Sequence, residues 1–215
     1  TLGYIRTANQ QFVISSGPFG GGHDTVVYNL AELPEGTINF IDMACNAIDV
    51  PGREVDASSR GVSMMGGPPC RVADVAIETD TEFRTALFGG NATAAADYAT
   101  MLVGAVSEVY ERDLNVILNI SFLRIWTTTD PWNQGGSVDQ LFQFRDYWNA
   151  NMTGEQRNGA HFLSGRGLGG GVAYVGAMCY EDFDYALSGN LNGFFPYPLQ
   201  NGSNQNWDFM VTAHE

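Results

Sequence analysis

Segments with a strand-like pattern and segments with a helix-like pattern alternate over residues 72–178, and this alternation limits the fold more than any other feature. The first segment alternates apolar and polar positions, with Ala73, Val75 and Ile77 on one face, which predicts a strand. The Ala-rich segment that follows has apolar residues near helical spacing and predicts a long helix over Thr93–Arg112. Strands and helices that alternate along a chain fold as a sheet with helices packed on it.

The same alternation continues toward the C-terminus. The β-branched and aromatic segment Asn115–Trp126 predicts a strand long enough to be central in the sheet. Ser137 and Gln140 have the spacing of a capping box and predict a helix over 137–152. Shorter segments predict a strand at residues 160–163 and a second strand at 172–178. An irregular loop is predicted at 180–206 and a helix start at 207–215. We therefore predict an α/β fold, with a mixed twisted sheet and two main helices packed on it.

The first part of the chain has a different composition. Short β-rich runs separated by turns predict a β-rich segment at the N-terminus. Gly, Pro, Ser and charged residues then concentrate between Asp49 and Pro69, which is the composition of a linker. We predict a boundary there, with a β-rich upstream region and linker over residues 1–70 and a second domain over 71–215.

The charged residues exclude several classes of function. The chain has 10 basic and 24 acidic residues, which gives a net charge of −14, and every basic residue is arginine. The absence of lysine excludes P-loop phosphate binding and Schiff-base cofactors, because both need an amine. The acidic balance argues against nucleic acid as a partner, since phosphate binding depends on clustered positive charge. No apolar run is long enough for a transmembrane helix, so we also predict no membrane span.

Cysteine and histidine are few. Cys45, Cys70 and Cys179 are odd in number and have no C-x-x-C spacing, so a disulfide scaffold is not indicated. One pair and one free thiol remain an alternative, and the pattern does not select the partners. His23 lies in a Gly-rich loop and His161 in a short predicted strand, and we interpret both as structural.

The last predicted helix runs into the strongest functional signal, the pair His214 and Glu215. This pair is the front half of H-E-x-x-H, in which two histidines one helical turn apart bind one zinc ion. The glutamate of that motif is the general base that acts on water at the zinc. A lone His-Glu pair is common, so the surrounding sequence decides its meaning.

That surrounding sequence resembles bacterial members of the reprolysin-like zinc metallopeptidases, which belong to the metzincin clan. The resemblance covers roughly residues 70–215 and depends on the order and spacing of five stretches, at residues 72–83, 110–113, 123–127, 130–132 and 170–176. It implies the N-terminal part of a metzincin-like catalytic domain, preceded by the β-rich segment. It also implies a secreted zinc-dependent endopeptidase with protein or peptide substrates.

The resemblance implies roles for the two terminal residues: His214 as a zinc ligand and Glu215 as the catalytic base. In the family the motif continues as H-E-x-x-H-x-x-G-x-x-H and supplies three zinc histidines. The two remaining ligands would follow Glu215, so we expect a chain truncated within the motif. Because catalytic zinc needs three protein ligands, we expect this fragment to be inactive by itself.

A Gly-rich segment, Gly169–Gly176, leads into the predicted strand 172–178. Small residues let a second backbone approach closely, and an extended peptide can add to an exposed sheet edge by main-chain hydrogen bonds. The resemblance also implies that a peptide binds along this strand, because the family binds substrate along an edge strand above the zinc. We therefore predict an edge strand that faces the same cleft as His214. The predicted substrate-binding residues of this strand are Gly171, Val172, Ala173 and Tyr174. The alternative is a plain edge strand after a glycine turn.

Residues 1–70 resemble the segment that precedes the catalytic domain in precursors of this family. In some of these precursors a cysteine thiolate caps the zinc, and Cys45 or Cys70 could do so here, against the alternative of a structural or unpaired thiol. For the chain as a whole, the alternative function is a non-catalytic secreted surface or adhesion module with a β-rich front and an acidic face.

Overall fold

The computed structural model has an α/β fold, and it describes residues 2–6, 11–15, 26–29, 45–52, 71–180, 182–196 and 204–215. The strands, in chain order, are β1 (Leu2–Arg6), β2 (Gln11–Ser15), β3 (Val26–Asn29), β4 (Cys45–Ile48), β5 (Arg71–Thr79), β6 (Val116–Leu123), β7 (Gly159–Leu163), β8 (Gly171–Tyr174) and β9 (Tyr185–Ser188). The helices are α1 (Thr81–Phe88), α2 (Ala92–Leu114), α3 (Ser137–Asn151) and α4 (Trp207–His214).

The described strands form two sheets. β1, β2 and β3 make an antiparallel meander. The larger sheet has six strands in the order β4-β8-β9-β7-β5-β6, and its strands are parallel except for the antiparallel pair β8 and β9. The predicted mixed sheet with two main helices is therefore confirmed, with α2 and α3 close to their predicted bounds.

The predicted domain boundary near residue 70 lies outside the described residues, which have a gap at 53–70. β4, which comes from the predicted upstream region, is nevertheless a strand of the large sheet. The boundary stays a prediction, but the sheet of the predicted second domain includes a strand from before it.

The prediction that the strand within Asn115–Trp126 is central is wrong. β6 pairs with β5 alone and lies at one edge of the large sheet. Its residues are mostly half-buried, whereas the second half of β5, from Ala76 to Thr79, is buried on both faces. Length and β-branched composition favour a strand but do not determine its place in the strand order.

The capping signals of the helices explain where they begin and end. α2 begins after Asn91, whose side chain accepts a hydrogen bond from the Ala94 amide, and ends at Asn115 in the left-handed conformation. α3 does not use the predicted capping box: its N-cap is Gly136, which has no side chain to make a cap bond, and Gln140 Oε1 accepts a hydrogen bond from Arg166. Among the described residues, no helix is both long and apolar enough to cross a membrane.

Two apolar clusters pack on opposite faces of the large sheet. Adjacent residues of one strand serve different clusters: Ala76 faces the helix α3 and Ile77 faces α2 and α4. The cluster on the α3 side includes Trp148 and Phe144, both fully buried. It also includes Val50, which follows β4. The sheet is thus covered on both sides, as expected for mostly parallel strands.

Candidate active site

α4 ends at the predicted zinc ligand His214, and its C-cap is the predicted base Glu215; the two side chains lie on different faces. Asp208, Val211 and Thr212 are buried, and their helical spacing continues to Glu215. The side chain of Glu215 is accordingly 2% exposed, whereas that of His214 is 63% exposed. The period of the helix therefore directs the carboxylate inward and leaves the imidazole accessible.

The Glu215 carboxylate packs against the first residue of β8. A Cβ atom at Gly171 would overlap Glu215 Oε1 and would lie 2.6 Å from Val211 Cγ2. Only glycine at residue 171 leaves room for this arrangement without displacing the α4 side chains. The structure thus brings together Glu215 and one predicted substrate-binding residue, and it does so by close packing.

The neighbouring imidazole is within reach of the same carboxylate. His214 Nδ1 lies 3.3 Å from Glu215 Oε1. An exposed imidazole is an ordinary zinc ligand, but a catalytic zinc takes three protein ligands. Within the parts of the chain that the structure describes, no three His, Cys, Asp or Glu side chains are grouped to hold a metal ion. These residues therefore supply one ligand of the expected kind and not a complete donor set.

The prediction that the strand within 172–178 lies at an edge is wrong. β8 pairs on one side with β9 and on the other side with β4, which runs parallel to it and aligns Ile48 with Tyr174. A further bond joins the Val175 amide to the Ile48 carbonyl at 2.9 Å. The physical reason is that strand order depends on which distant segment supplies pairing groups, and here residues 45–48 supply them. The substrate-binding assignment of Gly171–Tyr174 remains a prediction.

A cavity of about 110 Å³ lies between the large sheet on one side and the helices α2 and α4 on the other. Ala173 and His161 line it from the sheet, Tyr110 from α2, and Thr212 and Glu215 from α4. The Thr212 hydroxyl is buried there without a hydrogen-bond partner. The buried Glu215 carboxylate therefore faces a small space between the strand β8 and the helix that carries it.

Two tyrosines of α2 contact α4. Tyr98 Oη donates a hydrogen bond of 2.6 Å to Asp208 Oδ2 in the first turn, and Tyr110 Oη donates one of 2.6 Å to the Ala213 carbonyl in the last turn. Burial raises the pKa of both tyrosines, and Asp208 raises that of Tyr98 further. Burial also raises the pKa of Asp208, against the lowering effect of the hydrogen bonds it accepts. Sequence analysis did not identify these residues, because each pair is separated by more than a hundred positions.

His161 is buried in β7, in agreement with its structural interpretation. Its side chain is next to Ser188, with Nε2 2.7 Å from Ser188 Oγ. Burial lowers its pKa to about 4, so the imidazole is neutral near pH 7. His23 lies outside the described residues.

Of the three cysteines, only Cys179 has a side chain within the described part of the chain. Cys179 is exposed and carries a free thiol. Cys45 begins β4, where only its backbone is described, and Cys70 lies outside the described residues. The proposed capping of zinc by Cys45 or Cys70 therefore stays a prediction.

The comparison with protein-family models agrees with the sequence pattern. The family model described as metallo-peptidase family M12, Reprolysin_5, matches residues 70–215. A search of the curated proteins returned no match. One solved structure, described as "Structure of a chaperone-substrate complex", is 14% identical to the chain with a TM-score of 0.48 over 68% of it. The chain spans 24% of the length of that structure.

Proposed function

The chain belongs to metallopeptidase family M12, and from this we propose that residues 71–215 are the N-terminal part of the catalytic domain of a secreted zinc-dependent endopeptidase. One observation supports this proposal above the others. His214 and Glu215 lie together at the end of α4, with the Glu215 carboxylate against the start of β8. A metal-ligating side chain, a carboxylate and the proposed peptide-binding strand are thus neighbours.

In the proposed reaction each of these groups has a distinct task. The exposed His214 imidazole would be one ligand of the zinc, which would supply Lewis acidity toward water and the peptide carbonyl. Glu215 accepts the proton of the attacking water at a carboxylate oxygen and then delivers it to the amine that leaves. The peptide carbonyl carbon is attacked, its bond to nitrogen breaks, and a carboxylic acid and an amine result.

The proposed substrate-binding strand is covered in this structure by the chain itself. β4 occupies the side of β8 along which we propose that a peptide binds. A peptide can add to Gly171–Tyr174 by main-chain hydrogen bonds only where β4 has separated from β8. Binding of substrate at this strand is therefore coupled to release of residues 45–48.

The alternative, a non-catalytic surface or adhesion module, predicts the same fold without hydrolysis. The two are separated by an assay of a secreted polypeptide in which the chain continues through the complete H-E-x-x-H-x-x-G-x-x-H motif. We expect casein to be hydrolysed, hydrolysis to stop with a zinc chelator, and activity to return when zinc is restored. Hydrolysis that is indifferent to the chelator, or no hydrolysis by the zinc-loaded protein, would rule out the proposal.

A further inference from the structure

α2 contacts α4 through two tyrosine hydroxyls, one near each end of α4. We propose that Tyr98 and Tyr110 are positioning residues that fix the rotation of α4 about its own axis, and with it the directions of His214 and Glu215. This inference rests on the proposed function in one respect: the pair that is positioned is the pair to which catalysis was assigned. The structural part of the inference depends on α2 and α4 alone.

The first contact holds the beginning of α4. Asp208 has no exposed surface, and its carboxylate accepts hydrogen bonds from Tyr98 Oη at 2.6 Å, from the Asn192 amide at 2.8 Å and from the Gly193 amide at 2.9 Å. A buried carboxylate that lost one of these donors would keep part of its desolvation cost without compensation. The orientation of the first turn is therefore coupled to α2 and to the loop at residues 192–193.

The second contact holds the end of α4. A helical carbonyl oxygen has two lone pairs and can accept a side-chain hydrogen bond in addition to a backbone one. Tyr110 Oη supplies a donor to the Ala213 carbonyl at 2.6 Å. This carbonyl belongs to the peptide unit that joins Ala213 to His214. The bond therefore fixes the backbone immediately before the catalytic pair.

Rotation of α4 is the movement that matters for this pair. Glu215 is inward and His214 outward only because they are successive residues of a helix held at one angle. A side-chain atom lies about 5–6 Å from the helix axis, so a rotation of about 10° displaces it by about 1 Å. An error of about 1 Å in the placement of a reacting group can cost on the order of 100-fold in rate. The apolar contacts between α2 and α4 are less directional than the two hydrogen bonds.

The test compares Tyr98→Phe and Tyr110→Phe with Tyr147→Phe, a matched control that loses the same hydroxyl from α3 on the other face of the sheet. Backbone amide exchange is followed by NMR in the 215-residue chain without zinc. We expect Tyr110→Phe to accelerate exchange in the last turn of α4 by about five-fold, the effect of one net hydrogen bond. We expect Tyr98→Phe to do so in the first turn and at residues 192–193. Amides of α1 and α3 should exchange at unchanged rates.

A second measurement uses the polypeptide with the complete zinc-binding motif. Tyr110→Phe should lower kcat, expressed per bound zinc, at least ten-fold and leave KM unchanged, because the α4 pair is misplaced while substrate binding is intact. If exchange in α4 changes no more than in Tyr147→Phe, or if it accelerates equally in every helix, the positioning role is wrong. If exchange changes as expected but the wild-type polypeptide does not hydrolyse peptides, the proposed function fails and the coupling of α2 to α4 stands.

Discussion

Gly171 is the residue against which the Glu215 carboxylate packs, and its lack of a side chain has a measurable consequence. A methyl group at residue 171 would overlap the carboxylate and the Val211 side chain. We expect Gly171→Ala to lower the free energy of unfolding by about 1–3 kcal/mol, the usual cost of overpacking, and to displace Glu215. The measurement is urea unfolding of the chain.

Gly167 provides a control for this substitution. A Cβ atom at that residue would meet nothing within 4 Å. Gly167→Ala should therefore change the free energy of unfolding by no more than about 0.5 kcal/mol. Equal effects of the two substitutions would mean that the close packing of Glu215 on β8 does not exist.

Two buried titratable residues give stability opposite dependences on pH. Glu78 is fully buried, accepts hydrogen bonds from Trp126 Nε1 at 2.7 Å and Trp148 Nε1 at 2.9 Å, and lies 3.5 Å from an Arg124 nitrogen. Burial raises its pKa to about 7, against the lowering effects of Arg124 and the two indoles. The folded state therefore binds a proton more tightly than the unfolded state, and stability from Glu78 falls as pH rises from about 4.5 to about 7.

His161 acts in the other direction, because burial lowers its pKa from 6.5 to about 4. The unfolded state binds the proton more tightly, so stability from His161 is present above pH 6.5 and is lost as pH falls toward 4. The contributions of Glu78 and His161 thus largely cancel between about pH 4.5 and 6.5.

The substitution Glu78→Gln should remove one side of this cancellation. Relative to wild type, the free energy of unfolding of the variant should rise with pH by up to about 1.4 kcal/mol per pH unit between pH 4.5 and 7. The measurement is urea unfolding at intervals of half a pH unit. His161→Gln should give the opposite relative slope, and a variant that follows the wild-type pH profile would contradict the raised pKa of Glu78.

At the scale of elements, sequence analysis identified the long helices and several short elements but missed α1 and β9. α2 and α3 have enough turns for their apolar spacing to be read without tertiary information. α1 was not predicted, although Asp80 caps it by accepting from the Phe83 amide and Gly89 ends it in the left-handed conformation. Those two residues were a usable signal. β9 was missed because its four residues lie within a segment that has the composition of a loop.

The order of the strands was predicted least well. β8, predicted at an edge, is internal, and β6, predicted to be central, is at an edge. Both errors have one cause: the pattern within a strand reports burial and alternation, whereas its neighbours are set by segments far away in sequence. The pairing of β4 with β8 joins residues more than 120 positions apart.

The pairing of β4 with β8 should be the weakest part of the large sheet, because β4 has four residues and one partner strand. Val50 stabilises it by packing in the cluster on the α3 side, where it is 2% exposed. Val50→Ala removes about 1.5 kcal/mol of apolar burial free energy. We expect it to accelerate hydrogen exchange of the Val175 amide about ten-fold, while the amides of β5 stay protected. Amide exchange by NMR checks this.

The exposed Asn46 of the same strand offers a control, since Asn46→Ala removes no buried contact. Asn46→Ala should leave the exchange rate of the Val175 amide unchanged. Exchange that accelerates throughout the large sheet in Val50→Ala would show that β4 does not separate independently. Substrate binding along β8 would then have no route through release of this strand.

For the whole molecule, the assignment of His214 and Glu215 as site residues stays a prediction, and the structure describes where the two side chains lie. His214 and Glu215 are recognisable as a pair, and helical spacing alone directs one outward and the other inward. The supporting contacts were not predictable, because Tyr110 is one of many apolar positions in a long helix and its partner is 103 residues away. The family model matches residues 70–215, and the contacts of α2 and β8 with α4 set the positions of His214 and Glu215.

The central claim is that Glu215 is the base and His214 a zinc ligand of a metallopeptidase. The most direct measurement is casein hydrolysis, with zinc content determined on the same samples, for the polypeptide that carries the complete motif and its variants Glu215→Gln and His214→Ala. We predict that Glu215→Gln abolishes hydrolysis and retains zinc, that His214→Ala loses both, and that the 215-residue chain binds zinc weakly and cleaves nothing. Hydrolysis by Glu215→Gln at the wild-type rate would contradict the account.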